Sequence, residues 1–525
     1  MSRPPRPAEP EPRRPPSPPR AIFYPLLFAA IFAAVLLLHL PLIGLPYYWD
    51  EAGYFIPAAR DIYEDGSFIA RSTLSNAHPP LVMAYLALAW KALGFHIWAA
   101  RAAMLAVSAA ALAGLFRLAE RVSNRRVAAG AVVCTALYPV FFAQSTLAHL
   151  DMSVAALTAW ALVLYLPLRS EEGEEGKRAE KFLERPGARR ALCIALLALA
   201  CLAKETAILV PVVLCGWELL CRASGKRERL SALVCVGPRR TVAQALALLL
   251  SLAPLAVWFA YHYAVTGYVF GNPEYVRYNV GATLNLPRVL DALWRRLAHV
   301  TVYMNLWALT GAAALAMFFR PRRGEVAERP RIAVPVQLLF AALVLAHVVA
   351  LSLVGGAVLA RYLLPVLPLV VLVSVSTLWR RVRWWPLALA LVCGAFAYRS
   401  VVNPPYSFPW EENLAYRDFV LLHRDAARFL SERHPRARVL TTWPATDELK
   451  NPYFGYLGRP LAVFAVENFR RENLERAAAR KSEYDVAFLY STHGGLGLED
   501  AAALVGGRVA FHKERKGQWV AVVEK

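Results

Sequence analysis

Long apolar stretches alternate with short basic ones along most of the 525-residue chain. The first apolar stretch, residues 21–42, contains no Asp, Glu, Lys or Arg and is long enough to cross roughly 30 Å of hydrocarbon. The same pattern predicts further crossings at residues 96–118, 127–142, 152–168, 191–203, 206–220, 241–263, 300–319, 332–354, 362–378 and 385–397. The sequence therefore predicts a polytopic α-helical membrane protein with about 11 transmembrane helices.

Basic residues fall in the connections that lie on one side of the membrane in this arrangement. Arg121, Arg125 and Arg126 follow the second crossing, and further basic stretches lie at residues 177–190, 222–240, 320–331 and 380–383. The positive-inside rule places such connections in the cytoplasm. The chain is thus predicted to be a multi-pass protein of the cell membrane, with a cytoplasmic N-terminus and an extracytoplasmic C-terminal part.

The two ends of the chain differ in character from this apolar middle. Residues 1–20 are rich in Pro and Arg, which is typical of a disordered cytoplasmic tail. Residues 401–525 alternate charged helical stretches with short apolar ones, which predicts a small soluble α/β domain. The transmembrane domain then covers residues 21–400, with a first outer loop at 43–96. Within that loop, residues 79–94 predict a helix that lies in the outer interface or crosses at a tilt.

The net charge of +21 at pH 7 would suit a nucleic-acid-binding protein if it covered one soluble surface. Only 18% of the residues are charged, and the basic ones lie between apolar spans, so we predict no nucleic-acid partner. The seven cysteines lie within apolar spans or beside basic loops, without the spacing of metal ligands. Disulfides and zinc are therefore not expected to hold the fold together.

The predicted threading leaves a short set of polar residues at the outer ends of the spans. Ionisable residues at membrane depth are costly to place, so they are candidates for a functional site. The set includes Asp50, Glu51, Tyr54, His78, His149, Asp151, Lys204, Glu205, Arg361 and Tyr362.

Structural roles are open for several positions near this set. The aromatic residues at 47–49 also fit an aromatic belt at the membrane surface. Lys204 and Glu205 also fit the cap of a tight turn between two helices, and Asp151 also fits a helix N-cap. Taken singly, none of these residues therefore identifies a site.

Several short patterns occur in one order along residues 21–380. They are the acidic pair Asp50-Glu51 after the first span, the phrase His78-Pro79-Pro80-Leu81, the segment HLDMSV, the turn CLAKET and the segment ARYLLP. In this order they resemble the polyprenyl-phosphate-sugar glycosyltransferases of the GT-C class, such as the protein O-mannosyltransferases and the bacterial aminoarabinose transferases. The resemblance implies a GT-C-like fold for this part of the chain and does not extend to residues 401–525.

The resemblance implies transfer of a sugar from a polyprenyl-phosphate donor to an acceptor hydroxyl on a protein, lipid or glycan at the extracytoplasmic face. The leaving phosphate is already a weak base, so one carboxylate that accepts the hydroxyl proton is sufficient, unlike in glycoside hydrolysis. Direct displacement would invert the anomeric carbon. The implied catalytic residues are Asp50 as the base and Glu51, which would orient Asp50, hold the acceptor or help to bind a metal ion.

The departing phosphate needs positive charge that is in place beforehand. Arg361 is the first candidate, because its planar guanidinium suits phosphate oxygens. The further candidates are Lys204, His78, Tyr54 and Tyr362 for the donor phosphate and Asp151 as a supporting acid.

The cofactor, the substrates and other functions stay open at this level. The outer Glu-His metal pair of the aminoarabinose transferases has no match in the segment NPEYVRYNVGATLNLP, so no cofactor is established and a divalent metal ion stays open. A lipid or solute transporter or flippase without glycosyl transfer also fits many spans with buried charges. A ligase that uses a diphosphate-linked donor is a further alternative. The sequence determines neither the sugar nor the acceptor.

Overall fold

The computed structural model describes residues 20–167, 186–224, 241–279, 281, 283–324, 328–402 and 408–525. The predicted disordered tail at residues 1–20 lies outside the described residues except for Arg20. Residues 177–185 and 225–240, from two of the predicted cytoplasmic basic stretches, also lie outside them. The orientation of the chain in the membrane stays a prediction.

The described chain up to residue 402 is mainly helical. Its α-helices are α1 (Arg20–His39), α2 (Ile56–Asp65), α3 (Leu81–Leu93), α4 (Ile97–Val122), α5 (Arg125–Leu137), α6 (Pro139–Gln144), α7 (Asp151–Tyr165), α8 (Pro186–Ala203), α9 (Leu209–Ser224), α10 (Val242–Leu246), α11 (Ala253–Thr266), α12 (Pro273–Asn279), α13 (Leu286–Thr301), α14 (Leu306–Ala316), α15 (Val334–Leu353), α16 (Leu367–Arg381) and α17 (Trp385–Val401). Short turns of 3₁₀ or π type join or extend them, at Leu40–Leu42, Glu51–Phe55, Glu205–Ile208, Ala247–Leu252, Tyr303–Asn305 and Ala360–Leu363.

Within the described residues, five helical segments are long and apolar enough to cross a membrane. They are Ile22–Leu42, Ile97–Val122, Glu205–Ser224, Val242–Thr266 and Val334–Leu353. The segment that contains α4 is the most buried of them, because α1, α3, α5 and α7 all pack against it. These segments agree with a polytopic helical protein, while the number of about 11 crossings stays a prediction.

Two of the predicted crossings are interrupted. At residues 127–142 the helix restarts at Pro139, because proline has no backbone N–H with which to continue a helix. At residues 300–319 the chain breaks at Met304 and Asn305, whose φ angles are 48° and 65°. Residues 300–319 therefore join two helices instead of forming one straight crossing.

The segment at residues 79–94 forms the predicted helix, α3. Val82, Leu86 and Trp90, which are four residues apart, form one buried face that packs against α2 and α4. Leu88, on another face, is exposed. The helix is thus anchored to the bundle by one side, and its depth in the membrane stays a prediction.

Residues 408–525 combine helices with a five-stranded sheet. The elements are α18 (Ala415–Arg433), β1 (Arg438–Thr441), α19 (Ala445–Lys450), β2 (Ala462–Ala465), α20 (Arg471–Ala478), β3 (Val486–Tyr490), α21 (Leu498–Val505), β4 (Arg508–Arg515) and β5 (Gln518–Glu524). The strand order is β2-β1-β3-β5-β4. Strand β1 pairs in parallel with β2 and β3, and β5 pairs in antiparallel with β3 and β4. Parallel neighbours need crossover connections, which contain α19 and α20.

The predicted alternation of helix and strand is therefore present in this part of the chain. Strand β3 is buried along its whole length, and its Phe488 lies opposite Val522 of β5. Helix α18 packs against β4 and β5. A separate extracytoplasmic domain at residues 401–525 stays a prediction.

The first outer loop is held against the sheet-containing part. The Tyr456 hydroxyl donates to the Tyr47 carbonyl oxygen at 3.0 Å, and the Tyr48 hydroxyl donates to the Pro409 carbonyl oxygen at 2.8 Å. Tyr47 and Tyr48 are almost completely buried by this packing. The alternative of an aromatic belt that faces lipid is therefore wrong for both residues. The same contacts hold the backbone directly before Asp50.

Candidate active site

Asp50 lies directly before the π-helical turn Glu51–Phe55. The residue before it, Trp49, has a positive φ of 47°, a conformation that costs free energy for a bulky side chain. The Trp49 ring packs against Phe408 and Trp443, with ring centres 4.4 and 4.3 Å away, and these contacts hold the turn. The Asp50 side chain is 35% exposed, so it can reach a ligand.

Glu51, the next residue, points into the protein. It is fully buried and forms an ion pair with Arg101, which is equally buried. The Glu51 carboxylate also accepts hydrogen bonds from the Tyr48 N–H at 2.9 Å and the Ala148 N–H at 2.6 Å. The structure thus places Glu51 in an internal ion pair, although the sequence predicted that it would orient Asp50, hold the acceptor or bind a metal ion.

Arg361 lies in the 3₁₀ turn between α15 and α16. Its buried guanidinium donates from Nη2 to Asp50 and from Nη1 to Glu411 Oε2 at 2.8 Å. Its Nε lies 3.8 Å from Asp151 Oδ2. Three of the residues selected from the sequence, Asp50, Asp151 and Arg361, therefore lie together across as many as 311 residues of sequence, whereas Glu51 is turned away from them.

Lys204, directly after α8, is the second buried cation at this place. Its Nζ donates to Asp151 Oδ1 at 2.7 Å and lies 3.9 Å from the centre of the Tyr362 ring. Asp151 is the first residue of α7, and no side-chain hydrogen bond caps that helix. The N-cap alternative for Asp151 is therefore wrong, because its carboxylate binds Lys204.

His78 contacts Glu205, the residue that follows Lys204. The distance between His78 Nδ1 and Glu205 Oε2 is 3.0 Å. Its ring packs edge-on against Tyr54 and Tyr275, with ring centres 6.1 and 5.7 Å away. Burial raises the pKa of Tyr54 to about 12, and burial together with nearby acids raises the pKa of Tyr275. Both phenols are hydroxyl donors at neutral pH. Glu205 thus binds a residue outside its own turn, so capping that turn is not its only role.

Two further residues complete the site: His149, which the sequence placed in the outer polar set without a role, and Glu411, which the sequence did not assign to the site. His149 Nδ1 lies 2.9 Å from Arg361 Nη1 and 2.7 Å from Gln144 Oε1. Glu411 adopts a φ of 58°, and burial raises its pKa to about 8, although Arg361 acts in the opposite direction. A sequence signal for Glu411 exists, since the segment WEEN repeats the tryptophan and paired acids of the segment WDEA around Asp50.

We call the following six residues the charged cluster: Asp50, His149, Asp151, Lys204, Arg361 and Glu411. Each of them lies in a turn or at a helix end. Asp151 begins α7, Lys204 follows α8, and Arg361 lies between α15 and α16. The bundle therefore brings together the ends of several helices that are remote in sequence.

The charged cluster contains donor atoms that suit a divalent metal ion. One atom each from Asp50, His149 and Glu411 lie within 4.8 Å of one another, and carboxylates with an imidazole suit Zn²⁺ or Mn²⁺. The Arg361 guanidinium donates to two of these residues, Asp50 and Glu411, and already supplies positive charge there. Asp50, His149 and Glu411 fit a metal ion only if the Arg361 guanidinium moves away from them, so no cofactor is established.

Residues 77–258 match the family model described as dolichyl-phosphate-mannose-protein mannosyltransferase. The structure of ArnT from Cupriavidus metallidurans bound to undecaprenyl phosphate matches with a TM-score of 0.53 and 15% identity, over 96% of this chain and 98% of that chain. ArnT from the same organism in the apo state matches with a TM-score of 0.51 and 16% identity, at the same coverage of 96% and 98%.

An oligosaccharyltransferase from Archaeoglobus fulgidus, in complex with Zn and sulfate, matches with a TM-score of 0.45 and 12% identity, over 88% of this chain and 67% of that chain. The comparison with curated proteins found no match. The family model and the ArnT fold confirm the resemblance to the GT-C class of polyprenyl-phosphate-sugar glycosyltransferases. The protein is a polytopic helical membrane protein with the fold of that class.

Proposed function

We propose that this protein transfers a sugar from a polyprenyl-phosphate donor to an acceptor hydroxyl at the extracytoplasmic face of the membrane, with inversion of the anomeric carbon. The residues that match the family model, which is described as a mannosyltransferase, include His78, Asp151 and Lys204. The shared fold is that of a protein that binds undecaprenyl phosphate. The charged cluster lies at the ends of helices. Such a position suits a reaction between a phosphate that is anchored in lipid and a hydroxyl group that is in water.

The observation that carries the proposal is the exposure of Asp50. Its side chain is 35% exposed, whereas those of Asp151 and Glu411 are 5% and 4% exposed and that of Glu51 is buried. Asp50 is thus the acid of this group that an acceptor can reach. It would take the hydroxyl proton while the hydroxyl oxygen attacks the anomeric carbon and the bond to the phosphate oxygen breaks.

The residues that the sequence predicted to bind the donor phosphate lie in or beside the charged cluster. Arg361 holds Asp50 in position, and Lys204 holds Asp151. We propose that these two cations supply the positive electrostatic potential at the bond that breaks. Tyr362 supports Lys204 through its ring face. The remaining predicted residues, His78 and Tyr54, would bind donor oxygens from the loop on the Glu205 side. Glu51 would act as a positioning residue that holds the first outer loop.

A transporter or flippase without chemistry is less well supported. Such proteins place their charged residues near the middle of the membrane, along discontinuous helices. The predicted threading instead places the members of the charged cluster at one face of the membrane, and Asp50 among them is exposed. The fold shared with ArnT also favours a glycosyltransferase.

The test of this function is an in vitro assay with the purified full chain in lipid vesicles. Labelled polyprenyl-phosphate sugars are the donors, and cell-envelope protein, lipid and glycan fractions are the acceptors. We expect label on an acceptor and free polyprenyl phosphate as the second product. Equal use of a diphosphate-linked sugar would contradict the monophosphate donor, and movement of labelled lipid across the vesicle without any transfer would favour the transporter.

A pH effect is expected from Glu411. Burial raises its pKa to about 8, so Glu411 is largely neutral at pH 7 and ionises as the pH rises above 8. The neutral form stabilises the fold, and stability falls as the pH rises from the ordinary carboxyl range towards 8. An ionised Glu411 competes with Asp50 for Arg361. We therefore expect the wild-type transfer rate to fall above about pH 8 and Glu411→Gln to lose that fall.

The measurement is the initial transfer rate over a pH series, for wild type, Glu411→Gln and a control. Glu432→Gln is the matched control, because Glu432 is an exposed acid of α18 that pairs with Arg428. The control should follow the wild-type profile. An alkaline fall that persists unchanged in Glu411→Gln would assign the titration to another group.

A further inference from the structure

Arg296, on α13, is a buried cation, and most of its guanidinium has no hydrogen-bond partner among the described residues. The side chain is only 2% exposed. Its Nη2 donates to the Ala357 carbonyl oxygen at 3.2 Å, while Nε and Nη1 have no hydrogen-bond partner in the part of the chain that the structure describes. Among the described residues no carboxylate forms an ion pair with it, and burial lowers its pKa to about 10. A buried charge without a partner costs several kcal/mol, so this side chain suits an anion that binds from outside.

The surroundings of Arg296 supply further groups for such an anion. His299 lies one turn later on the same face of α13 and is also buried. Its Nδ1 has no hydrogen-bond partner within the described ranges. Burial and the neighbouring Arg296 lower the pKa of His299 to about 4, so it is a neutral imidazole that can donate one N–H. The Arg296 guanidinium lies 5.8 Å from the centre of the Tyr362 ring.

Tyr362 connects Arg296 to the charged cluster. The same ring centre lies 3.9 Å from Lys204 Nζ and 5.6 Å from the Arg361 guanidinium carbon. Three basic side chains therefore lie within 6 Å of one aromatic ring. A group bound by Arg296 would lie next to the reacting bond of the proposed transfer.

The other two basic residues around Tyr362 are already balanced by acids. Lys204 pairs with Asp151, and Arg361 pairs with Asp50. A phosphate that leaves an anomeric carbon gains negative charge as the bond breaks, and it is stabilised by a cation that is not neutralised beforehand. Of these three basic residues, Arg296 is the one that meets this requirement.

The outer face of α13 indicates that the anion belongs to a lipid. Leu286, Leu290 and Trp294, spaced four residues apart, form an exposed apolar stripe, and Trp294 is 74% exposed. An amphipathic helix of this kind lies in the plane of a membrane surface, with its apolar side in the acyl region. Arg296 faces the protein from the same helix, so a headgroup anchored in the adjacent lipid can reach it.

We propose that Arg296, together with His299 and Tyr362, binds the phosphate of the polyprenyl-linked donor and of the carrier lipid that leaves after transfer. The proposal rests on the proposed function for the identity of the lipid. It assigns the phosphate to α13 rather than to Arg361, whose charge is used to hold Asp50 and Glu411.

The test measures binding by the purified full chain, without any need for turnover. The probes are undecaprenyl phosphate, undecaprenol and inorganic phosphate, and the variants are Arg296→Gln, Arg296→Lys and Arg295→Gln. Arg295 is the matched control, because it is an exposed arginine of the same helix that pairs with Asp291 at 2.9 Å. We expect undecaprenyl phosphate to bind at least about tenfold more weakly to Arg296→Gln, with Arg296→Lys in between and Arg295→Gln unchanged. Undecaprenol should bind weakly and equally to all forms.

Thermal unfolding separates binding from a structural role. Arg296→Gln removes an unpaired buried charge, so its melting temperature without ligand should equal or exceed that of the wild type. A lower melting temperature together with lost binding would indicate a structural role and overturn the proposal. Equal affinity of wild type and Arg296→Gln for undecaprenyl phosphate would overturn it as well.

Three further outcomes identify the source of the phosphate and separate failure of the Arg296 site from failure of the proposed function. Inorganic phosphate that binds as tightly as undecaprenyl phosphate would overturn the assignment to a lipid. Because binding is measured without transfer, wild-type turnover in Asp50→Asn would refute the proposed base and leave the Arg296 site standing. Conversely, full transfer activity in a wild type that binds no undecaprenyl phosphate would refute the Arg296 site alone.

Discussion

Replacement of Asp50 by asparagine is expected to lower the rate of sugar transfer by about 10²- to 10⁴-fold, the usual contribution of a positioned general base. Asparagine has nearly the same shape as aspartate but cannot accept the hydroxyl proton. Asp50 is the exposed acid of the charged cluster, whose other acids, Asp151 and Glu411, are only 5% and 4% exposed. The measurement is single-turnover transfer from a labelled polyprenyl-phosphate sugar.

The control for this substitution is Glu64→Gln in α2, because Glu64 is an exposed acid that pairs with Arg60. Glu64→Gln should transfer at the wild-type rate. Asp50→Asn should still bind undecaprenyl phosphate, since the phosphate is assigned to Arg296. Turnover of Asp50→Asn within about twofold of the wild type would show that another group takes the proton.

Replacement of Glu51 by glutamine is expected to destabilise the protein by about 3–5 kcal/mol, because it leaves the buried Arg101 charge without its partner. Both side chains are inaccessible, and Arg101 also donates to the Thr146 carbonyl oxygen at 2.9 Å and the Pro46 carbonyl oxygen at 3.1 Å. The Glu51–Arg101 pair thus joins three stretches of chain: α4, the residues from Pro46 to Glu51, and the residues from Thr146 to Ala148. The measurement is thermal unfolding in detergent micelles.

A double substitution provides the control for the Glu51 prediction. Glu51→Gln combined with Arg101→Met removes both charges, so part of the lost stability should return. If Glu51→Gln keeps the wild-type melting temperature and loses transfer activity, Glu51 takes part in the chemistry as the sequence predicted. If stability falls and is partly restored by the second change, Glu51 is a positioning residue.

The segment after α17 gives residues 408–525 a direct connection to the proposed chemistry. Glu411 binds Arg361 from this segment, and the Glu411 carbonyl oxygen accepts a hydrogen bond from Gln144 Nε2 at 2.8 Å. Phe408 packs against Trp49 next to Asp50. A change in the packing of the sheet-containing part would therefore reach Asp50 and Arg361 through a few direct contacts.

Much of the architecture followed from the linear order of apolar and basic stretches. An apolar run must cross lipid with its backbone hydrogen bonds satisfied, so helices could be placed without knowledge of their packing. Ionisable residues are expelled towards the ends of such helices, which is why Asp50, Asp151, Lys204 and Arg361 could be selected as one candidate site. The alternation of short apolar and charged stretches after residue 401 likewise predicted helices with strands.

The detailed roles depended on contacts between residues that are remote in sequence. Asp50 and Glu51 are adjacent, yet only the packing of Arg101 decides that Glu51 is internal and Asp50 is open. Glu411 belongs to the segment after the last apolar stretch, and only the folding of that segment over Arg361 brings it to the site. Arg296 could be identified only from the structure, in which no carboxylate of the described residues forms an ion pair with it. Local periodicity reports which surface of an element is apolar, whereas the pairing of charges depends on which elements meet.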